Sequence, residues 1–156
     1  MKLIITLTLT ACLISCHEII RFDAKRVIVN DSDVQVRIEI YQDGNSIESI
    51  SIPSGGINEQ LSKCEDDVSR LKCTPDFRWV SIADSAQVFF DESRVQTFCG
   101  ENMECLQTER NIFFFPLTID ESENATGYVK SMEDDVRVYT YTITNEDYEN
   151  AEPIGD

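Results

Sequence analysis

The stretch "DVQVRIEIYQDGNSIESISIP" (33–53) decides the fold. In its first half Val34, Val36, Ile38 and Ile40 occupy every second position, with Gln35, Arg37, Glu39 and Tyr41 between them. A period of two is that of a strand with one buried and one solvated face. Asp43-Gly44-Asn45 is a hairpin turn signal, and the chain then returns with Ile50 and Ile52 alternating until Pro53 stops the strand. Two antiparallel, half-buried strands are therefore expected here.

The same grammar repeats outward from this hairpin. Upstream, "RVIVN" (26–30) reads as a first strand. Downstream, Ser54-Gly55-Gly56 opens a loop, and 57–72 is ambiguous between loop and a short helix. "FRWVSIA" (77–83) begins a second β block. "DSAQVFFDESRVQTF" (84–98) reads as strand, tight polar turn at Asp91-Glu92-Ser93, and strand. "NIFFFPLTID" (111–120) follows, with Pro116 marking an edge or bend, and "DDVRVYTYTIT" (134–144) is rich in Val, Thr and Tyr. In the closing "NEDYENAEPIGD" (145–156), Thr144 or Asn145 can cap a short helix with acids in its first turn, which Pro153 would end. No stretch sustains a helical period. The predicted fold is all-β, an antiparallel β-sandwich of seven to eight strands or a small barrel, with a short C-terminal helix.

The first residues carry an address. Lys2 precedes an uncharged run from Leu3 to His17, the layout of a secretory signal. The run is shorter than the ~20 apolar residues of a membrane span and is rich in Thr. It ends in Leu13-Ile14-Ser15-Cys16, which resembles the lipobox of bacterial lipoproteins. That resemblance implies cleavage before Cys16, lipidation of its thiol and acylation of the new amino terminus. Each buried CH₂ of an acyl chain is worth ~0.8 kcal/mol, and stable anchoring takes more than one chain. With His17 rather than Asp after the cysteine, the resemblance further implies the outer membrane, on either its periplasmic or its surface face. The expected organisation is a signal peptide at 1–15, a lipidated tether at 16–26, a β domain at 27–144 and an acidic helix or tail at 145–156.

Charge excludes one class of partner. The 156 residues carry a formal −16, and losing Lys2 leaves 12 basic against 29 acidic residues, a formal −17. Such a surface repels nucleic acid and anionic headgroups alike, so the lipid alone must hold the membrane. Acidic clusters recur at 31–33, 64–67, 120–124 and 132–135 and read as solvated exterior.

Four cysteines remain after Cys16: Cys64, Cys73, Cys99 and Cys105. In an exported chain an even number reads as disulfides, and Cys64–Cys73 with Cys99–Cys105 is the favoured pairing of three, since each pair brackets a polar stretch. Each short loop so closed is worth roughly 2–3 kcal/mol in the chain-entropy model. A four-cysteine zinc site lacks the close C-x₂₋₄-C spacing.

At "DSAQVFFDESRVQTF" and "YTYTITNEDYENAEPI" the chain resembles small lipoproteins of Bacteroidetes-type bacteria, which share a lipobox, a β-rich body and an acidic "DYENA"-like ending. The resemblance implies a cell-envelope address. It supplies one site residue, Cys16, and no catalytic ones.

The search for chemistry is short. The chain's single histidine, His17, adjoins the expected anchor, which leaves a Ser–His or Cys–His site without a base in the globular part. Paired carboxylates, as in a glycan hydrolase, have acids in plenty but no motif that selects two of them. No enzyme and no resident cofactor is expected. Calcium is the ion an acidic exported β domain would recruit. Asp120, Ser122 and Asn124 open like an EF-hand loop, yet Ala125 stands at the glycine position and Ser131 at that of the closing Glu, which leaves a looser loop site at Asp120 or Asp134–Asp135. Trp79, in "FRWVSI", is a core residue or, if exposed, a stacking platform for sugar rings. The expectation is a lipid-anchored, non-catalytic binding or structural module, with an envelope protein or a glycan as partner. The alternatives are a glycan- or calcium-binding accessory lipoprotein and a carboxylate hydrolase.

Overall fold

A computed structural model describes residues 19–67, 83–99, 110–112 and 127–155. These form nine strands in two sheets and one short helix. In chain order they are β1 (Ile19–Asn30), β2 (Val36–Gln42), β3 (Asn45–Ile52), β4 (Ile57–Asp67), β5 (Ser85–Phe90), β6 (Arg94–Cys99), β7 (Tyr128–Glu133), β8 (Val136–Ile143), α1 (Asn145–Asn150) and β9 (Glu152–Pro153). The first sheet has the order β4-β1-β8-β7 and the second β3-β2-β5-β6-β9. All neighbours run antiparallel except β1 and β8, which are parallel from Ala24↔Arg137 to Asn30↔Ile143.

The all-β, sandwich-like architecture read from the sequence is thus the one observed, and the deciding hairpin is β2–β3. Its alternating set is buried as expected, with Val36, Ile38 and Ile40 inaccessible and Arg37, Glu39 and Tyr41 on the outward face. Asp43 and Gly44 turn the chain with φ of +50° and +75°, the left-handed pair that matches strand twist in a two-residue hairpin. In β5 the same alternation buries Ala86, Val88 and Phe90. Against these the first sheet presents Ile28, Tyr141 and Ile143, and one apolar core results. Fully burying each large side chain contributes roughly 1.5–3 kcal/mol.

Two expectations are corrected. The tether expected over 16–26 is strand from Ile19 onward, because β4 pairs with β1 from Ile19↔Asp67 to Val29↔Ile57. Residues 57–67, ambiguous between loop and helix, are that partner strand. The short C-terminal helix expected within 145–156 is present as α1, capped by Thr144, and beyond it Glu152 and Pro153 pair with Val95 and Arg94 at the edge of the second sheet.

The connections sort to two ends of the sandwich. One pole holds Asp31–Gln35, Pro53–Gly56, Asp91–Ser93 and the segment from Thr144 onward. The other holds the β2–β3 turn at Asp43-Gly44, the β7–β8 turn at Asp134-Asp135, and the starts of β1 and β5.

Candidate functional site

The densest polar construction among the described residues is the pole that gathers the ends of β1, β3 and β8. Asn30, fully buried, uses its whole amide there. Its Nδ2 donates to the Val34 and Ile52 carbonyls at 2.8 and 3.0 Å, and its Oδ1 accepts from the Ser32 N–H at 3.1 Å and the Ser32 hydroxyl at 2.6 Å. An Asn side chain offers two donors and two acceptor lone pairs, so none is left over. The Asn30 backbone is held as well, donating to Gly56 O at 2.9 Å and accepting from Gly55 N at 2.8 Å. Asp33 and Asn145 then clasp each other: Asp33 N donates to Asn145 Oδ1 at 2.9 Å, and Asn145 Nδ2 donates to Asp33 Oδ2 at 2.8 Å. Three connections that are distant in sequence become one rigid surface.

Two arginines tie α1 to this pole. Thr144 caps the helix in a capping box, its side chain accepting from Asp147 N while its own backbone N–H reaches Asp147 Oδ2 at 2.8 Å. Arg110 Nη1 meets both Asp147 oxygens at 3.0 and 3.1 Å, Arg110 Nη2 donates to Thr142 O, and its guanidinium lies 5.3 Å from the Tyr141 ring centroid. At the other end of the helix Arg94 Nη1 donates to the carbonyls of Glu149 and Ala151 at 2.9 and 3.1 Å, a cation on the C-terminal oxygens. Gly127, at φ +79°, passes so close that a Cβ there would sit 2.9 Å from Tyr141 Cε2.

Between the sheets lies a buried cation. Arg26 is 1% exposed, and its Nη2 donates to Gln60 Oε1 at 2.8 Å. Burial pushes the guanidinium down to about 10, opposed by the fields of Tyr128 and Glu48, so it stays charged at neutral pH. The same desolvation pushes the Tyr128 phenol up to about 12. That hydroxyl donates to Ile112 O at 2.7 Å, and its ring lies 5.2 Å from that of Tyr141, whose phenol burial also pushes well up.

Comparison with protein families, curated proteins and solved structures returned no match. The geometry alone therefore bears on function.

Of the residues singled out from the sequence, Cys16, Cys73, Cys105, Trp79 and Asp120 lie outside the described residues. Cys64 falls in β4 opposite Phe22, and Cys99 closes β6, 5% exposed, with its carbonyl accepting from Asn111 Nδ2 at 3.0 Å. Asp134 and Asp135 form the exposed β7–β8 turn, with φ of +45° and +67°. Among the described residues no three His, Cys, Asp or Glu side chains stand close enough to hold a metal ion. His17, the chain's single histidine, lies outside the described residues too. The sequence reading missed Arg26, Asn30, Arg94 and Arg110. For Asn30 alone a local signal existed, since Asn followed by Asp-Ser-Asp after a strand is Asx-turn composition. What the arrangement offers is a hydrogen-bonded pole that joins three connections distant in sequence.

Proposed function

We propose that this chain is a lipid-anchored cell-envelope lipoprotein, held on the outer membrane through Cys16, whose β-sandwich is a non-catalytic binding or structural module. The observation that carries the reading is the adjacency of Leu13-Ile14-Ser15-Cys16 to a strand that starts at Ile19. A lipobox immediately upstream of a folded domain is the arrangement an anchor needs. No helix among the described residues is long and apolar enough to cross a membrane, so none of them competes with the lipid as the attachment. The rigid pole around Asn30 and Asn145 supports a partner that is an envelope protein or a glycan, and the net charge of the exported chain disfavours nucleic acid. For the cysteines we propose Cys64–Cys73 and Cys99–Cys105. Supporting this, Cys99 is withdrawn from solvent at the end of β6.

Intact-mass analysis of membrane-extracted protein, wild type against Cys16→Ser, tests the anchor. The expected wild-type product begins at Cys16 and carries acyl mass that the variant lacks. A product that begins elsewhere with a free thiol overturns the reading.

A further inference from the structure

We propose that the lipid anchor holds the sandwich upright on the bilayer, with the Asn30/Asn145 pole turned away from the membrane. This rests on the anchor reading above. Only His17 and Glu18 separate Cys16 from the first residue of β1. Three peptide steps reach at most ~10 Å, so the backbone of the lipidated residue lies within that distance of Ile19. From Ile19↔Asp67 to Asp23↔Lys63 the β1–β4 pair is a two-stranded ribbon, before β8 joins at Ala24↔Arg137. The ribbon is continuous with the central strand of the first sheet, so the short link from Cys16 meets regular structure at Ile19. β1 is 12 residues long, and at ~3.3 Å per residue it sets its far end, Asn30, ~35 Å from its start. Every connection clasped around Asn30 shares that remote pole.

Charge argues against the domain lying down. The outward face of the first sheet does carry exposed apolar side chains, Ile57, Leu61 and Val129. It also carries Asp23, Glu59 and Glu133 against two cations, Lys25, which Glu133 and Glu59 engage at 2.8 and 3.6 Å, and Lys63, exposed opposite Asp23, so that acids outnumber bases three to two. Pressing that face on anionic headgroups would bring acids to a negative surface. Standing on the ribbon leaves the face in water.

The test uses the full lipidated chain in phosphatidylethanolamine–phosphatidylglycerol vesicles that contain a headgroup-linked energy acceptor. A fluorescent amino acid is placed either at Ser46, exposed beside the β2–β3 turn, or at Glu149, exposed on α1. Transfer several-fold stronger from position 46 than from 149 is expected. Inserting about ten Gly/Ser residues between Glu18 and Ile19 should bring the two signals together, since such a linker behaves as a flexible coil. Equal transfer from both positions in the uninserted chain overturns the upright orientation, whether the domain lies flat or tumbles. Intact mass of the same samples separates the two readings: equal transfer with acyl mass on Cys16 removes only the orientation, whereas absence of acyl mass removes the anchor and the orientation together.

Discussion

Arg26 and Gln60 face each other across β1 and β4 on the inner side of the first sheet, Nη2 to Oε1 at 2.8 Å, with the guanidinium almost wholly removed from water. Removing one partner of a buried charged hydrogen bond leaves the other short of an acceptor, which costs about 1–3 kcal/mol. Gln60→Leu is expected to lower unfolding free energy by that amount. Arg26→Met combined with Gln60→Leu should recover much of the loss, since an apolar replacement of a buried ionic group is often neutral or better. Urea unfolding of the two single variants and the double checks this. Strictly additive effects would show that the pair is not coupled.

Asn30 makes a sharper case, because a near-isosteric change reverses its chemistry. Asn30→Asp would aim a carboxylate oxygen at the Val34 and Ile52 carbonyls, which now receive N–H donors at 2.8 and 3.0 Å. At neutral pH the expected loss is about 3 kcal/mol or more, at least that of Asn30→Ala. Burial would raise the new carboxyl's folded pKa above its unfolded value. The deficit relative to wild type is therefore largest at neutral pH and shrinks as pH falls through that raised value. Denaturant unfolding of the variants and wild type at neutral and mildly acidic pH measures it. A deficit that widens on acidification would refute the account.

The contrast between β2 and β4 shows where the sequence was legible. In β2 the buried face is Val36, Ile38 and Ile40, and the alternation announces both the strand and its orientation. In β4 the residues opposite buried Ala24, Arg26 and Ile28 are Ser62, Gln60 and Asn58, while apolar Ile57 and Leu61 point outward and are 59% and 73% exposed. The usual pattern is inverted, with Gln60 answering the buried cation and Ser62 and Asn58 beside it on the inner face, so hydrophobic periodicity had nothing to detect. The start of β1 hid for a related reason: Arg21, Asp23, Lys25 and Arg26 read as a polar tether until their strand partners are known. The parallel union of the first and eighth strands leaves no local mark, since turn residues signal hairpins and not contacts between distant segments. At the candidate pole the cap at Thr144 was readable from local composition, whereas Arg94 and Arg110 act across long sequence separations.

The buried phenols predict alkaline lability. Tyr128 has a folded pKa of about 12 against 10.0 when unfolded, so the native state keeps a proton that the unfolded chain sheds. Its contribution is fully present below pH 10 and is lost as pH rises through about 12, approaching 3 kcal/mol. Tyr141 is shifted in the same direction, by burial first and then by Asp147 and Tyr128. Arg26 works the other way: its folded value is lowered, so the unfolded state binds the extra proton and stability gains with rising pH in that range. Two tyrosines outweigh one arginine, and unfolding free energy should fall above pH 10. In Tyr128→Phe the decline should be shallower by about one proton's slope. Urea unfolding across an alkaline series gives both slopes, and a rise in wild-type stability over that range would contradict the assignment.

The β7–β8 turn offers a gain in stability. Asp134 and Asp135 hold φ of +45° and +67° between Glu133 and Val136, a left-handed pair built from two like-charged residues. Left-handed backbone costs an L-residue with a Cβ roughly 1–2 kcal/mol, less for Asn and Asp, and nothing comparable for Gly. Asn-Gly is the pair such a two-residue hairpin prefers. The double change Asp134→Asn with Asp135→Gly is therefore expected to raise unfolding free energy by about 0.5–1.5 kcal/mol, a few degrees in Tm for a domain of this size. The β2–β3 turn supplies the reciprocal control. Gly44 has φ +75° and a Cβ there would meet nothing within 4 Å, so Gly44→Asp changes backbone preference without a clash. It should lower stability by a similar amount. Thermal unfolding of both variants checks the pair of signs, and a loss in the Asp134→Asn, Asp135→Gly double variant would mean that the two aspartates hold the turn by contacts worth more than its backbone strain.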